Sequence, residues 1–180
     1  MPYRQARERG VTLIELLVTL SIAVILMTIA VPSFQDFFRR NRIQSAASDL
    51  VAALNFARSE AIRRGANVTL CKSDNGSACN TSACSAVPPA TNNNCWDRGW
   101  IVVAAGQILR VQQALPNLVT VRANTPFSHQ IVFRPDGRIT ESLGGSLFIC
   151  HGGSATDARR VVLNGAGRVR VEEATSCTSP

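Results

Sequence analysis

The pattern of apolar and polar residues first separates residues 11–31 from the rest of the chain. This run is apolar apart from Ser, Thr and one charged residue, Glu15. As a helix, its 21 residues would extend about 31 Å, enough to cross the hydrocarbon core of a bilayer. The run therefore predicts a transmembrane helix. Because a lone carboxylate is unfavourable inside a membrane, Glu15 requires a partner.

A second pattern follows Pro32, where apolar residues recur at spacings of three and four. The apolar stripe consists of Ile43, Ala47, Leu50, Leu54, Ala57 and Ala61. Its opposite side carries Arg42, Asp49, Arg58 and Arg63. This spacing is typical of an amphipathic helix. We predict that the helix continues through residues 32–65, bends at Pro32 and ends at Gly65, a residue that suits the position after a helix.

The remaining residues, 66–180, show the two-residue period and short apolar runs of β-strands. Strands are predicted at 67–71, 99–105, 107–115, 117–123, 130–135, 145–150, 158–164 and 167–173. Asp136-Gly137 is a hairpin signal, and the polar segment 73–95 predicts a long surface loop. The predicted fold is α+β, with a long N-terminal helix packed on antiparallel sheets in a β-rich globular domain.

Charge and cysteine content narrow the classes of function. The net charge is +7, which fits an anionic partner such as nucleic acid or simple solubility, and both readings stay open. All six cysteines follow the apolar run, and no C-x-x-C occurs, so disulfides in an oxidising compartment are favoured over a metal site. No catalytic triad or phosphate-binding glycine loop is apparent. We predict a protein without cofactor, metal or enzymatic activity.

The N-terminal sequence R-G-V-T-L-I-E-L-L resembles the leader of type IV pilins. The resemblance implies that residues 1–10 are a leader, that prepilin peptidase cuts after Gly10, and that Val11 becomes an N-methylated terminus, although phenylalanine is commoner there. It further implies a single-pass bacterial inner-membrane protein with a periplasmic soluble domain, which becomes extracellular in the assembled pilus. In the filament, Glu15 of one subunit would meet the freed amine of a neighbouring pilin, which removes the penalty of a buried acid.

The soluble part resembles the GspH/FimT family of minor pilins and pseudopilins. The similarity rests on LNFARSEAIRRGANVTLCKSDNGSAC, WDRGWIVV, IVFRPDGRI, LFIC and VVLNGAGRVRV. It implies two small β-sheets and an insertion at 82–95. It also implies the disulfides Cys71–Cys79, Cys84–Cys95 and Cys150–Cys177, whereas the sequence by itself permits fifteen connectivities.

The family has two branches with different functions. The DNA-binding, FimT-like branch carries G-R-x-R near the C-terminus, which Gly167, Arg168 and Arg170 match, and this implies a minor pilin that binds DNA for uptake in natural transformation. On a strand, the two arginines would share a face about 7 Å apart, close to the phosphate spacing of DNA. The resemblance thus implies sequence-independent contact with the phosphates of double-stranded DNA. Glycines 165 and 167 would let the backbone approach them.

Several alternatives to this interpretation stay open. Either Arg159 or Arg160, but not both, could add charge to the same face, since neighbouring strand residues alternate. The same R-V-R-V-E pattern is also typical of an ordinary solvated edge strand. The other branch of the family is the GspH-like minor pseudopilin of type II secretion, or an assembly subunit without DNA binding. Trp96 and Trp100 could stack on nucleobases, but a core position is favoured for Trp100.

Overall fold

The computed structural model describes residues 11–81, 96–116, 118–124 and 126–177. The chain divides into two compact units, Met1–Phe38 and Arg39–Pro180. The helix α1, Leu13–Arg64, contributes to both. The predicted leader with Gly10, the cysteines Cys84 and Cys95, and the predicted insertion lie outside the described residues.

In the first unit, Thr12 caps the start of α1. Its Oγ1 accepts a hydrogen bond from the Glu15 backbone N–H at 3.2 Å, and its carbonyl accepts one from the Leu16 N–H at 3.1 Å. An acidic residue in the first turn also suits the positive end of the helix dipole. Local helix chemistry therefore explains part of the placement of Glu15. In the described part of the chain, no helix combines the length and the apolar character required to span a bilayer.

The second unit contains the amphipathic part of α1, as predicted. All six residues of the predicted stripe are buried, together with Ala46 and Ala53. The helix ends at Arg64, and Gly65 follows with φ +63°, while the Ala66 N–H donates to the Ala61 carbonyl at 3.3 Å. This is the left-handed ending for which glycine is preferred. The bend at Pro32 stays a prediction.

Eight strands follow α1, close to the predicted positions. They are β1 Val68–Lys72, β2 Trp100–Ala104, β3 Gln107–Gln112, β4 Val119–Ala123, β5 Gln130–Phe133, β6 Gly145–His151, β7 Ser154–Leu163 and β8 Val169–Glu173, with a short 3-10 helix, η1, at Trp96–Arg98. They form two antiparallel sheets of four strands, ordered β3-β2-β1-β5 and β4-β6-β7-β8. This arrangement of one long helix and antiparallel sheets confirms the predicted α+β fold.

Strand β7 begins four residues earlier than the sequence pattern predicts. Gly152 and Gly153 both have positive φ, 59° and 74°, and form a tight turn that pairs His151 with Ser154. The turn extends the hairpin through Ser154–Asp157, a segment without the apolar alternation of a strand. Asp157 has φ +61° and binds Arg39 and Arg40 of α1, at 2.8 and 3.1 Å.

The core of the second unit lies between the α1 stripe and the inner faces of the sheets. Every described buried hydrophobic residue lies at or after Ile43, so the described core lies entirely within this unit, and we expect the unit to fold on its own. Trp96 and Trp100 are 0% and 1% exposed, and the Trp96 indole N–H donates to the Phe127 carbonyl at 3.0 Å. The core position favoured for Trp100 is confirmed. The base-stacking alternative is wrong for both residues, because neither ring reaches solvent.

Two of the three implied disulfides are present. Cys71–Cys79 joins β1 to the loop that follows it, and Cys150–Cys177 joins β6 to the segment after β8. The second bond closes a separation of 27 residues, which corresponds to about 3.5 kcal/mol of loop-closure entropy. It therefore holds the C-terminal strand in the sheet.

Candidate nucleic-acid interface

The predicted G-R-x-R motif begins in the turn between β7 and β8. The Gly167 N–H donates to the Asn164 carbonyl at 2.8 Å, and the Asn164 N–H donates to the Arg168 carbonyl at 3.2 Å. Gly167 has φ +75°, as in a hairpin turn that ends in a left-handed glycine. The Asn164 side-chain oxygen also accepts from the Arg168 N–H at 2.9 Å. Arg168 is thus fixed by its backbone while its side chain is exposed.

The pairing of β7 with β8 settles which residues share the face of Arg170. Residues directly opposite each other in a sheet lie on one face, and Arg160 is opposite Glu172 whereas Arg159 is opposite Glu173. Because Arg170 and Glu172 are two positions apart on β8, Arg160 lies on their face. Arg159 lies on the other face. The alternation argument is confirmed, and the register of the two strands selects Arg160.

An acid lies among these arginines and partly cancels their charge. Glu172 contacts Arg170 through its Oε1, 2.7 Å from the arginine Nε, and its other oxygen pairs with Arg160. The hydrogen bond from Arg160 is the main reason that the pKa of Glu172 lies below its ordinary value. In the part of the chain that the structure describes, Arg168 makes no ion pair, so its charge is uncompensated.

The glycines of this turn allow close packing against neighbouring loops. A Cβ on Gly165 would lie 2.1 Å from the Ser142 carbonyl oxygen, and a Cβ on Gly167 would lie 2.1 Å from the Gly137 carbonyl oxygen. Gly167 is buried and Gly165 only partly exposed. The two glycines therefore allow the turn to pack against the backbone of neighbouring loops, and Gly167 positions Arg168.

Arg58 of α1 also contributes to this site, although the sequence pattern placed it on the solvent side of the helix. Its Nη2 donates to the Ala166 carbonyl at 3.2 Å, and its Nε is buried without a hydrogen-bond partner. The sequence contains one indication of this contact. Arg58 follows Ala57 and precedes Ala61 by three residues, so it lies at the border of the apolar stripe. That position allows a long side chain to reach the sheet.

The other predicted site residues are distributed elsewhere. Glu15 lies in the first turn of α1 and Val11 lies two residues before the helix, and both are exposed. Among the described residues, no three His, Cys, Asp or Glu side chains converge as a metal site would require.

Comparison with known families identifies the chain. The model of the family "Type II transport protein GspH" matches residues 46–167, and that of the "Prokaryotic N-terminal methylation motif" matches residues 5–31. The chain belongs to the GspH/FimT family.

Solved structures agree with the GspH/FimT fold. The type IV minor pilin FimU of Pseudomonas aeruginosa, in crystal form P21, superposes with a TM-score of 0.60 at 22% identity, covering 79% of this chain and 99% of FimU. A second crystal form, P65, gives a TM-score of 0.54 at 21% identity, covering 75% and 99%. At this identity the likeness establishes the fold alone.

Curated relatives match a shorter part of the chain. Two proteins of Pseudomonas aeruginosa, each named "Fimbrial protein", are 39% identical over 61 residues, or 34% of this chain. The match spans 39% of the length of each relative. Together with the family model, it supports a pilin or pseudopilin at the coarse level.

Proposed function

We propose that this GspH/FimT-family chain is a minor type IV pilin that binds extracellular DNA without sequence preference for uptake in natural transformation. The observation that carries the proposal is the exposed, uncompensated guanidinium of Arg168 at the end of the β7–β8 turn. Arg170, whose side chain is 71% exposed, follows two positions later, and Arg160 lies across from Glu172 on the same face. Contacts of this kind recognise phosphates and carry no base information.

Processing and assembly follow the pilin pathway in this proposal. Prepilin peptidase removes residues 1–10, the amine of Val11 is methylated, and residues 11–31 anchor the subunit in the inner membrane with its soluble domain in the periplasm. Thr19, Ser21 and Thr28 support the membrane role, because each hydroxyl donates to a carbonyl three or four residues earlier, at 2.7–2.9 Å. Polar groups in lipid need such internal partners. In the extracellular pilus, Glu15 then pairs with the amine of a neighbouring subunit.

The proposal is tested with residues 39–180 and short DNA duplexes of unrelated sequence. We expect binding in the micromolar range or weaker at physiological salt, with affinity that falls steeply as salt rises. Arg168→Ala combined with Arg170→Ala removes most binding and leaves the melting temperature nearly unchanged, because both side chains are exposed. Normal binding by the double variant rejects the site, and absence of wild-type binding at low salt rejects the DNA-receptor function.

A second candidate is the GspH-like minor pseudopilin of type II secretion. The description of the matching family model and the pairing of Glu172 with two arginines favour it. In that case the basic face contacts acidic groups of neighbouring subunits, and the duplex assay gives no binding. The same experiment therefore separates the two functions.

A further inference from the structure

A second turn in the soluble unit has the same construction as the turn that presents Arg168. In residues 134–138, the Gly137 N–H donates to the Arg134 carbonyl at 2.8 Å, and the Arg134 N–H donates to the Arg138 carbonyl at 2.8 Å. Gly137 has φ +75°, the same value as Gly167. An Asx oxygen receives the N–H of the final arginine in both turns, from Arg138 to Asp136 at 3.1 Å and from Arg168 to Asn164 at 2.9 Å.

The two Gly-Arg turns, residues 134–138 and 164–168, also touch each other. The Gly137 carbonyl oxygen occupies the space where a Cβ of Gly167 would be, and the Ile139 N–H donates to the Gly165 carbonyl at 3.2 Å. Each final arginine is one residue from this glycine contact. Their Cα atoms are therefore at most about 12 Å apart, two Cα steps and one backbone contact.

Arg58 fixes the two turns to the helix. Its Nε lies 3.2 Å from the Cβ position of both Gly137 and Gly167, in the seam between the turns. Its Nη2 donates to the Ala166 carbonyl. This guanidinium, half-buried with its Nε inside the seam, adds positive charge behind both turns and links their spacing to the helix.

The charge of Arg138, in the turn of residues 134–138, is available to a ligand. Arg138 is exposed and makes no ion pair with any residue in the described ranges, whereas Arg134 lies 4.0 Å from Asp136. Arg138 and Arg168 are thus two cations at equivalent positions of two adjoining turns, and neither side chain forms an ion pair with a described residue. A single DNA strand, with a phosphate about every 3.4 Å along the axis, offers anions to both at once.

We propose that the 134–138 turn is a second phosphate-binding element and that Arg138 contacts the DNA backbone beside Arg168; this inference rests on the proposed function. With this second element, the proposed binding surface extends from the turn of residues 164–168 to both Gly-Arg turns. Backbone hydrogen bonds fix where each arginine leaves its turn, while the exposed side chains stay free to reach phosphates.

The test compares Arg138→Gln with Arg110→Gln in residues 39–180, using fluorescence anisotropy with labelled duplexes over a series of salt concentrations. Arg110 lies on β3, at the opposite edge of the first sheet from β5, and caps the Phe56 ring at 5.9 Å. Both variants lose one positive charge. The turn survives in Arg138→Gln because its hydrogen bonds use the backbone, and Arg138→Lys serves as a second, charge-preserving variant.

We expect Arg138→Gln to weaken binding about fivefold and to reduce the slope of log K against log salt by about 0.9. Arg138→Lys should keep the wild-type slope, and Arg110→Gln should stay within about twofold of wild type. If Arg138→Gln and Arg110→Gln behave alike while Arg168→Ala with Arg170→Ala abolishes binding, the second element is rejected and the proposed function stands. If the wild type does not bind duplex DNA, both are rejected.

Discussion

Under the proposed function, Glu172 should limit DNA binding, and its replacement provides a sharp test. In Glu172→Gln the side chain keeps its shape but no longer neutralises Arg170 and Arg160. Two effects then act in the same direction. The two arginines become available to phosphates, and the repulsion between the carboxylate and an incoming phosphate disappears.

The magnitude follows from the geometry. Glu172 Oε1 lies 2.7 Å from Arg170 Nε, and a phosphate oxygen bound to that guanidinium adds about 2.8 Å, so the two anions are about 5.5 Å apart. At a dielectric constant near 80, their repulsion slightly exceeds thermal energy, which corresponds to about fourfold in affinity. The aqueous limit applies because the Arg170 side chain is 71% exposed. We therefore expect about fourfold tighter binding and a steeper salt dependence.

The assay is duplex binding over a salt series, with Glu173→Gln as the matched control. Glu173 pairs with Arg159 at 3.4 Å on the opposite face of β8, so its replacement makes the same change in net charge away from the Arg170 face. We expect Glu173→Gln to change affinity by less than about twofold. Equal affinities for the two variants would refute the assignment of the DNA-binding face.

Two further predictions concern the ends of α1. Mass spectrometry of the native protein should find a chain that starts with N-methylated Val11, whereas an intact leader or a start after Pro32 would exclude the pilin pathway. Hydrogen bonds from Arg63 and then Arg64 lower the pKa of Glu60 from 4.5 to about 2, so these ion pairs stabilise the fold fully above about pH 4.5 and are lost as the pH falls towards 2. The difference in melting temperature between wild type and Glu60→Gln should therefore shrink across that range, and a constant difference would contradict this linkage.

The elements of the fold were predictable because their signals are local. A period near 3.6 identified the stripe of α1, and a period of two identified the strands. The start of β7 was missed because Gly152-Gly153 imposes a hairpin on residues without apolar alternation. The pairing order of the two sheets depends on contacts between distant segments, and no local pattern contains it.

The candidate site shows the same division between local and long-range information. Alternation along β7 and β8 limited the basic face to one of Arg159 and Arg160, and only the register of the pair selected Arg160. The sequence did not assign Arg138 or Arg58 to this site. Both belong to it only through the contact of Gly137 with Gly167, which joins segments thirty residues apart. The sequence shows a glycine before an arginine in both turns. Only the packing of the two turns brings these arginines close together.

Strand β8 lies at the edge of its sheet, and this position offers a competing explanation for its charges. Charged side chains protect exposed edges from pairing with other chains, which accounts for Arg170, Glu172 and Glu173 on the strand itself. Edge protection does not account for Arg168 or Arg138, because neither residue belongs to a strand. Both side chains extend from turns. A protective role also predicts compensated charge, as in Arg170 with Glu172. The pair of arginines on the adjoining Gly-Arg turns is therefore the part of the surface that edge protection leaves unexplained and that the proposed phosphate contact accounts for.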